Sequence, residues 1–179
     1  MQYRVQRHEV IQPQDQSIRL IALTQGLNAI VDAVDYVWLN AFNWCVKWNV
    51  SGKSFYAFRT IHTNGRKRNV YMHQVLIPNA EEIDHINHDT LDNRRTNLRP
   101  CSKSQNQGNR KPRPSLLGIK GVTLDKREKK SHLKWRAQMM INGKNTSLGY
   151  YATAEEAATA YRKAAEEYFG DFAFHKSHG

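Results

Sequence analysis

The 179 residues carry 27 Lys and Arg against 16 Asp and Glu, a formal net charge of +11 that predicts attraction to a polyanion. Ten Gly, five Pro and 10% aromatics argue for folded modules rather than disorder. Two distant cysteines, Cys45 and Cys101, form no C-x-x-C pattern, which argues against a disulfide framework or a cysteine zinc site and for a reducing compartment. With no signal-type apolar core after the amino terminus and no run of about 18 apolar residues, the expectation is a soluble cytoplasmic protein without a membrane partner.

In chain order, residues 18–23 (IRLIAL) read as a strand, 25–28 (QGLN) as a turn and 29–31 (AIV) as a second strand. From Asp32, a plausible cap, the pattern turns helical, with Val34, Val37, Trp38 and Phe42 on one face. Residues 44–50 and 55–61 read as a hairpin around Ser51-Gly-Lys53, and Trp38, Trp44 and Trp48 as core aromatics. Residues 70–77 (VYMHQVLI) are apolar enough for a supporting strand or a short helix, with His73 as a packed core histidine, the alternative being that it touches the site.

Residues 82–110 hold the chemistry. Cutting a phosphodiester needs an activated water and a divalent cation to hold the scissile phosphate. Asp84 can supply a hard oxygen ligand. His85, on the opposite face of a strand, can act as base at neutral pH. Asn106, on the polar and apparently helical stretch 102–111, offers a second oxygen. Arg94, Arg95, Arg99 and Arg110 are candidate phosphate holders, the alternative being that one or two pair with Asp89, Asp92 or Glu82. His88, Asp89 and Asp92 read as loop scaffold. Residues 94–136 are strongly basic, opposed only by Asp125 and Glu128. Prolines at 112 and 114 then break any helix and mark a linker.

Residues 119–124, 134–141 and 145–151 read as three strands, with Asn142-Gly143 as a hairpin turn between the last two. Thr153-Ala-Glu-Glu156 is a capping box that opens a helix ended by Gly170. Ala157, Ala158, Tyr161, Ala164, Ala165 and Tyr168 line one face of that helix. Alternation in the second strand puts Trp135, Ala137, Met139 and Ile141 under the helix and Arg136, Gln138 and Met140 on the open face. There Arg136 and Gln138 could make bidentate contacts with guanine and adenine edges, while Lys126, Arg127, Lys129 and Lys130 contact phosphate.

The Asp-His pair, the run DNRRTNLR (92–99) and the later asparagines resemble the HNH endonuclease motif in its phage homing-endonuclease form. The resemblance implies Asp84 and Asn106 as ligands of one divalent cation, His85 as general base, and Asn97 as the residue that pins the loop and orients the histidine. An Asp/Asn oxygen set favours magnesium or manganese over zinc. Residues 119–176 resemble the APETALA-type DNA-binding domain of plant ethylene-response factors, which implies reading positions at Lys120, Thr123, Asp125, Gln138, Met140, Asn145 and Ser147.

The expected architecture is therefore α+β in small modules. These are a β-rich amino-terminal region (1–68), a ββα-metal HNH nuclease core (69–112), a linker (113–118), and a carboxy-terminal three-stranded antiparallel sheet packed on one helix (119–176). The expected function is metal-dependent, site-directed cleavage of double-stranded DNA by a monomer or weak dimer, with a phage-infected bacterium as a fitting setting. The alternative is a DNA-binding transcriptional regulator with an inactive nuclease motif.

Overall fold

Alternating apolar residues build the first hairpin. Strand β1 (Ile18–Ala22) pairs antiparallel with β2 (Asn28–Asp32), with Leu20 opposite Ile30 and Ile21 opposite Ala29. A 3-10 turn at Thr24–Gly26 joins them, with Gln25 and Gly26 both at positive φ. The structure, a computed structural model, describes residues 7–50, 52–110, 119–125 and 134–174. The expected linker 113–118 lies outside the described residues, as do Lys126, Arg127, Lys129 and Lys130.

Helix α1 (Ala33–Asn40) follows directly. Its expected apolar face is not the buried one: Val34 and Val37 are 78% and 79% exposed, while Asp35 and Leu39 are buried. The cause is a partner distant in sequence. Arg95 donates from Nε and Nη2 to the Asp35 carboxylate at 2.7 and 2.9 Å, and the Trp38 indole donates to the same group. Asp32 occupies the cap position but makes no side-chain cap bond; its carboxylate accepts the Arg95 amide at 2.7 Å instead.

Strands β3 (Cys45–Asn49), β4 (Ser54–Thr63) and β5 (Arg66–Tyr71) form an antiparallel sheet in sequence order. Of the three tryptophans expected in the core only Trp44 is there, its indole donating to Leu39 O at 2.8 Å. Trp38 and Trp48 are half-exposed, Trp48 packing edge-on against Phe55. The stretch 70–77 divides between the end of β5 and the short helix α2 (Met72–Leu76). Ile21, Val31, Leu39, Trp44, Met72 and Leu98 sit in one core that β1, β2, α1, β3 and α2 share.

Strands β6 (Glu82–His85) and β7 (Leu98–Cys101) make a two-stranded sheet, and helix α3 (Lys103–Asn109) follows β7. Further on, β8 (Val122–Leu124), β9 (Trp135–Ile141) and β10 (Lys144–Tyr151) form an antiparallel sheet with β9 central. Asn142 and Gly143, both at positive φ, turn its hairpin. Helix α4 (Ala154–Phe169) starts at a Thr153/Glu156 capping box and buries Ala157, Tyr161, Ala165 and Phe169 against Ala137 and Met139. Gly121 is obligatory here: it has φ +72°, and a Cβ would come within 2.1 Å of the Tyr161 ring and 2.6 Å of Gln138 O.

The described residues thus form a mixed α and β protein of four small sheets and four α-helices. The chain divides into two compact units, Met1–Pro100 and Cys101–Gly179. No helix among the described residues is long and apolar enough to cross a membrane.

The Asp35–Arg95 pair is a stability element. Hydrogen bonding from Arg95 outweighs burial and holds the Asp35 carboxyl below its ordinary value of 3.8. A carboxyl lowered on folding adds stability that is complete above the unfolded value and lost as pH falls through the folded one. Asp35→Asn should cost about 1–2 kcal/mol at pH 7, less than a fully buried pair because Arg95 keeps half its surface in water. The gap between parent and variant should close below pH 3.8. Equal urea midpoints for the two proteins at pH 7 would rule this out.

Candidate active site

The turn between β6 and β7 is built by hydrogen bonds to one asparagine. Asn97, buried in a 3-10 turn at Arg95–Asn97, accepts the Asn87 amide on Oδ1 at 2.9 Å and the Ile86 amide on its carbonyl at 2.9 Å. Its Nδ2 donates to Asp92 O at 2.8 Å. Asn97 therefore ties together both ends of the loop that leaves β6 immediately after His85. Short-range turns fill the interior: Asp89 N donates to Asn87 Oδ1, and Leu91 N donates to Asp89 Oδ1.

Asp92 is 2% exposed and anchors the loop from inside, accepting from Asn87 Nδ2 at 2.8 Å and from Arg94 Nε and Nη2 at 2.8 and 2.6 Å. Burial would raise its pKa, yet the Arg94 hydrogen bonds and charge bring it below the ordinary value. The same segment docks on β2, where Ile30 N donates to Leu91 O and Asn93 N donates to Ile30 O.

Asp84 and His85 are both buried, so the strand is covered on the two faces that alternation separates. Arg99, across on β7, donates to Asp84 Oδ2 from Nε at 2.9 Å and Nη2 at 2.7 Å. The imidazole of His85 stands in an aromatic cage. His73 of α2 approaches it edge-on at 5.3 Å between ring centroids, Tyr56 of β4 at 6.1 Å, and Tyr71 stacks on His73 at 5.6 Å. His73, expected as a packed core histidine with contact to the site as the alternative, is thus part of the wall around His85.

Burial is the largest influence on His85 and lowers its pKa, outweighing the charge of Asp84 and the neighbouring Asn93, Asp89 and Asp92. His73 is pushed down to about 3 by burial and by His85. Both rings are therefore neutral at pH 7. His85 Nε2 is buried and has no hydrogen-bond partner among the described residues. Asn93, 1% exposed, makes no hydrogen bond of good geometry through Oδ1, yet stands close enough to the imidazole to favour its protonated form.

Sequence reasoning missed Tyr56 and Asn93 as neighbours of His85. Asn93 carried a usable signal, since it lies inside the same run as Asp92 and Asn97. Tyr56 did not, because only the β4 pairing brings it near.

The expected phosphate-holding arginines are differently engaged. Arg94 pairs with Asp92, Arg95 with Asp35 and Arg99 with Asp84. The local carboxylates are nearer than any outside anion, and hydrogen-bonded ion pairs form wherever geometry allows. Arg110 is exposed at the end of α3.

Asn106 is half-buried in the middle of α3, whose start is fixed by a box in which Ser102 Oγ accepts from Gln105 N and Gln105 Oε1 accepts from Ser102 N. In the carboxy-terminal sheet Thr123 lies opposite Arg136, Gln138 opposite Ser147, and Met140 opposite Asn145. Asn145 Nδ2 donates to Gln138 Oε1 at 3.4 Å. Tyr150, which the sequence reading left out, is exposed and opposite Arg136. Lys120, expected on DNA, turns inward: its Nζ donates to Gln107 O at 3.1 Å and to Gly108 O, and burial pushes its pKa down to about 8.

Residues 70–107, which hold Asp84, His85, Asn97 and Asn106, match the family model described as HNH endonuclease. The chain is also similar to the uncharacterized HNH endonuclease L560 of Acanthamoeba polyphaga mimivirus, 33% identical over 97 residues that make up 54% of this chain and 48% of the viral protein. It thus spans about half the length of the curated relative it matches. No solved structure matches it.

Asn97→Ala should cost about 1–3 kcal/mol, because it leaves buried backbone groups of the loop unpaired. Amide exchange across residues 86–93 should rise with it. An unchanged denaturation midpoint with unchanged exchange would show that the loop holds without Asn97.

Proposed function

We propose that the chain is a divalent-cation-dependent DNA endonuclease with His85 as general base. The observation that carries this reading is the neutral, buried imidazole whose Nε2 has no partner among the described residues, next to a buried carboxylate. An imidazole in that state can accept a proton from a water at Nε2. The aromatic cage and the Asn97 loop limit its rotation.

Asp84 and Asn106 fit a hard cation, since both offer oxygen, and among the described residues no three His, Cys, Asp or Glu side chains cluster as a zinc site would need. Asn106 enters as a ligand on the sequence motif alone. A bound magnesium or manganese ion would supply positive charge to offset what builds on the scissile phosphate and the leaving oxygen. Arg99 holds the Asp84 carboxylate in one orientation from the β7 side.

Double-stranded DNA is the proposed substrate, and site-directed, homing-type cutting is the proposed role. Thr123, Arg136, Gln138 and Asn145 are proposed as the reading face in the manner of an APETALA-type sheet, with Arg110, Lys126 and Arg127 on phosphate. What supports this is the distribution of Thr123, Arg136, Gln138 and Asn145 over adjacent strands of one sheet and the basic character of the chain. Arg136→Ala should weaken duplex binding by about 1–3 kcal/mol at fixed salt. Affinity unchanged in a mobility-shift titration would remove Arg136 from the interface.

The test of the whole reading is supercoiled plasmid with magnesium or manganese. The parent should give open circles if it nicks and linear product if it cuts both strands. His85→Ala should cut about 10²- to 10⁴-fold more slowly while binding DNA as the parent does. Equal cutting by His85→Ala would displace the histidine from its role. Tight, metal-independent binding with no scission by the parent would favour the regulator instead.

A further inference from the structure

The carboxy-terminal sheet and helix have a contact that a DNA-reading module does not need. Helix α3 is 7 residues long, about two turns, and a helix this short is not stable without tertiary support. Its first turn is capped by Ser102 and Gln105. Its last carbonyls, which no helix satisfies internally, are met by Lys120, whose ammonium donates to Gln107 O and Gly108 O.

Gly108 and Asn109 are buried in the same place. A Cβ on Gly108 would lie 2.7 Å from Cδ1 and Cγ of Phe169, so only glycine lets that ring lie against the helix. Glycine inside a helix costs about 0.5–1 kcal/mol relative to alanine, which this close approach accounts for.

Lys120 is itself held. The next residue is Gly121, locked between the Tyr161 ring and Gln138 O and accepting the Gln138 amide at 2.8 Å. Phe169 belongs to the cluster of Met139, Tyr161 and Ala165. Two independent contacts, one polar and one apolar, therefore tie the end of α3 to β9 and α4.

We propose that Lys120 and the Gly108–Phe169 contact brace helix α3 within the carboxy-terminal unit and so position Asn106 for cation binding, in addition to any contact this unit makes with DNA. The proposal rests on the reading of Asn106 as a ligand. It makes Lys120, Gly108 and Phe169 positioning residues and takes Lys120 out of the DNA interface. Asn106 lies two residues before Gly108, so loss of the last turn would loosen the helix at that position.

The test uses full-length Lys120→Met, which keeps the apolar stem, Gly108→Ala, and Gly108→Ala combined with Phe169→Leu. The first readout is amide exchange across residues 103–109 in the protein without added metal. The second is plasmid cleavage as a function of manganese and of DNA concentration. Lys120→Met and Gly108→Ala should exchange about tenfold faster and need about tenfold more manganese for half-maximal rate, as expected for loss of one charge-assisted cap or one packed contact. Apparent KM for DNA should stay within about twofold, and Phe169→Leu should restore Gly108→Ala.

Unchanged exchange and manganese requirement in Lys120→Met would overturn the proposal, even if Gly108→Ala failed to fold. A raised KM with constant kcat would overturn it too, by making Lys120 a phosphate contact. Asn106→Ala separates the two levels. If it cuts with the parent's manganese requirement, the ligand reading fails and the brace with it; if it is inert while Lys120→Met is normal, only the brace fails.

Discussion

A single buried carboxamide sets the order of the amino-terminal unit's chemistry. Asn97 bonds to the loop at three points, and these fix where β6 ends and β7 begins. Everything that matters about His85 depends on that closure. The imidazole can be buried only because the loop after it is satisfied internally, and burial keeps it neutral. Asp92 repeats the logic one step further out, trading its own desolvation against Arg94 and Asn87.

The surroundings of His85 come from separated parts of the chain. Tyr56 arrives on β4, Tyr71 at the end of β5, His73 on α2, and the residue they enclose on β6. Three short elements thus provide what a single long helix or strand could not, a cage with walls at different angles. The neutral His73 adds an edge contact without adding charge beside the proposed general base.

Local chemistry was well written in the sequence where neighbours decide the outcome. The β1–β2 alternation, the Asn142-Gly143 turn and the Thr153/Glu156 cap all involve residues within a few positions of each other, and each forms as its residue types dictate. Tertiary partners defeated the pattern elsewhere. Helix α1 has an apolar repeat at Val34 and Val37, but Asp35 faces inward because Arg95 waits 60 residues further on. Lys120 has the composition of a DNA contact and the position of a helix cap. The central run was legible as similar to an HNH endonuclease because its spacing repeats a known motif, and residues 70–107 match that family model. The cage around His85 was not, since strand pairing and not spacing assembles it.

The arginine pairs bear on how strongly salt would act on this chain. Each phosphate contact contributes to the slope of log affinity against log salt only if a cation is available to displace a condensed ion. Arg94, Arg95 and Arg99 already face Asp92, Asp35 and Asp84. Those three guanidinium groups would have to leave a carboxylate to count fully. For a nucleic-acid partner, the salt slope should therefore be shallower than the tally of 27 Lys and Arg suggests.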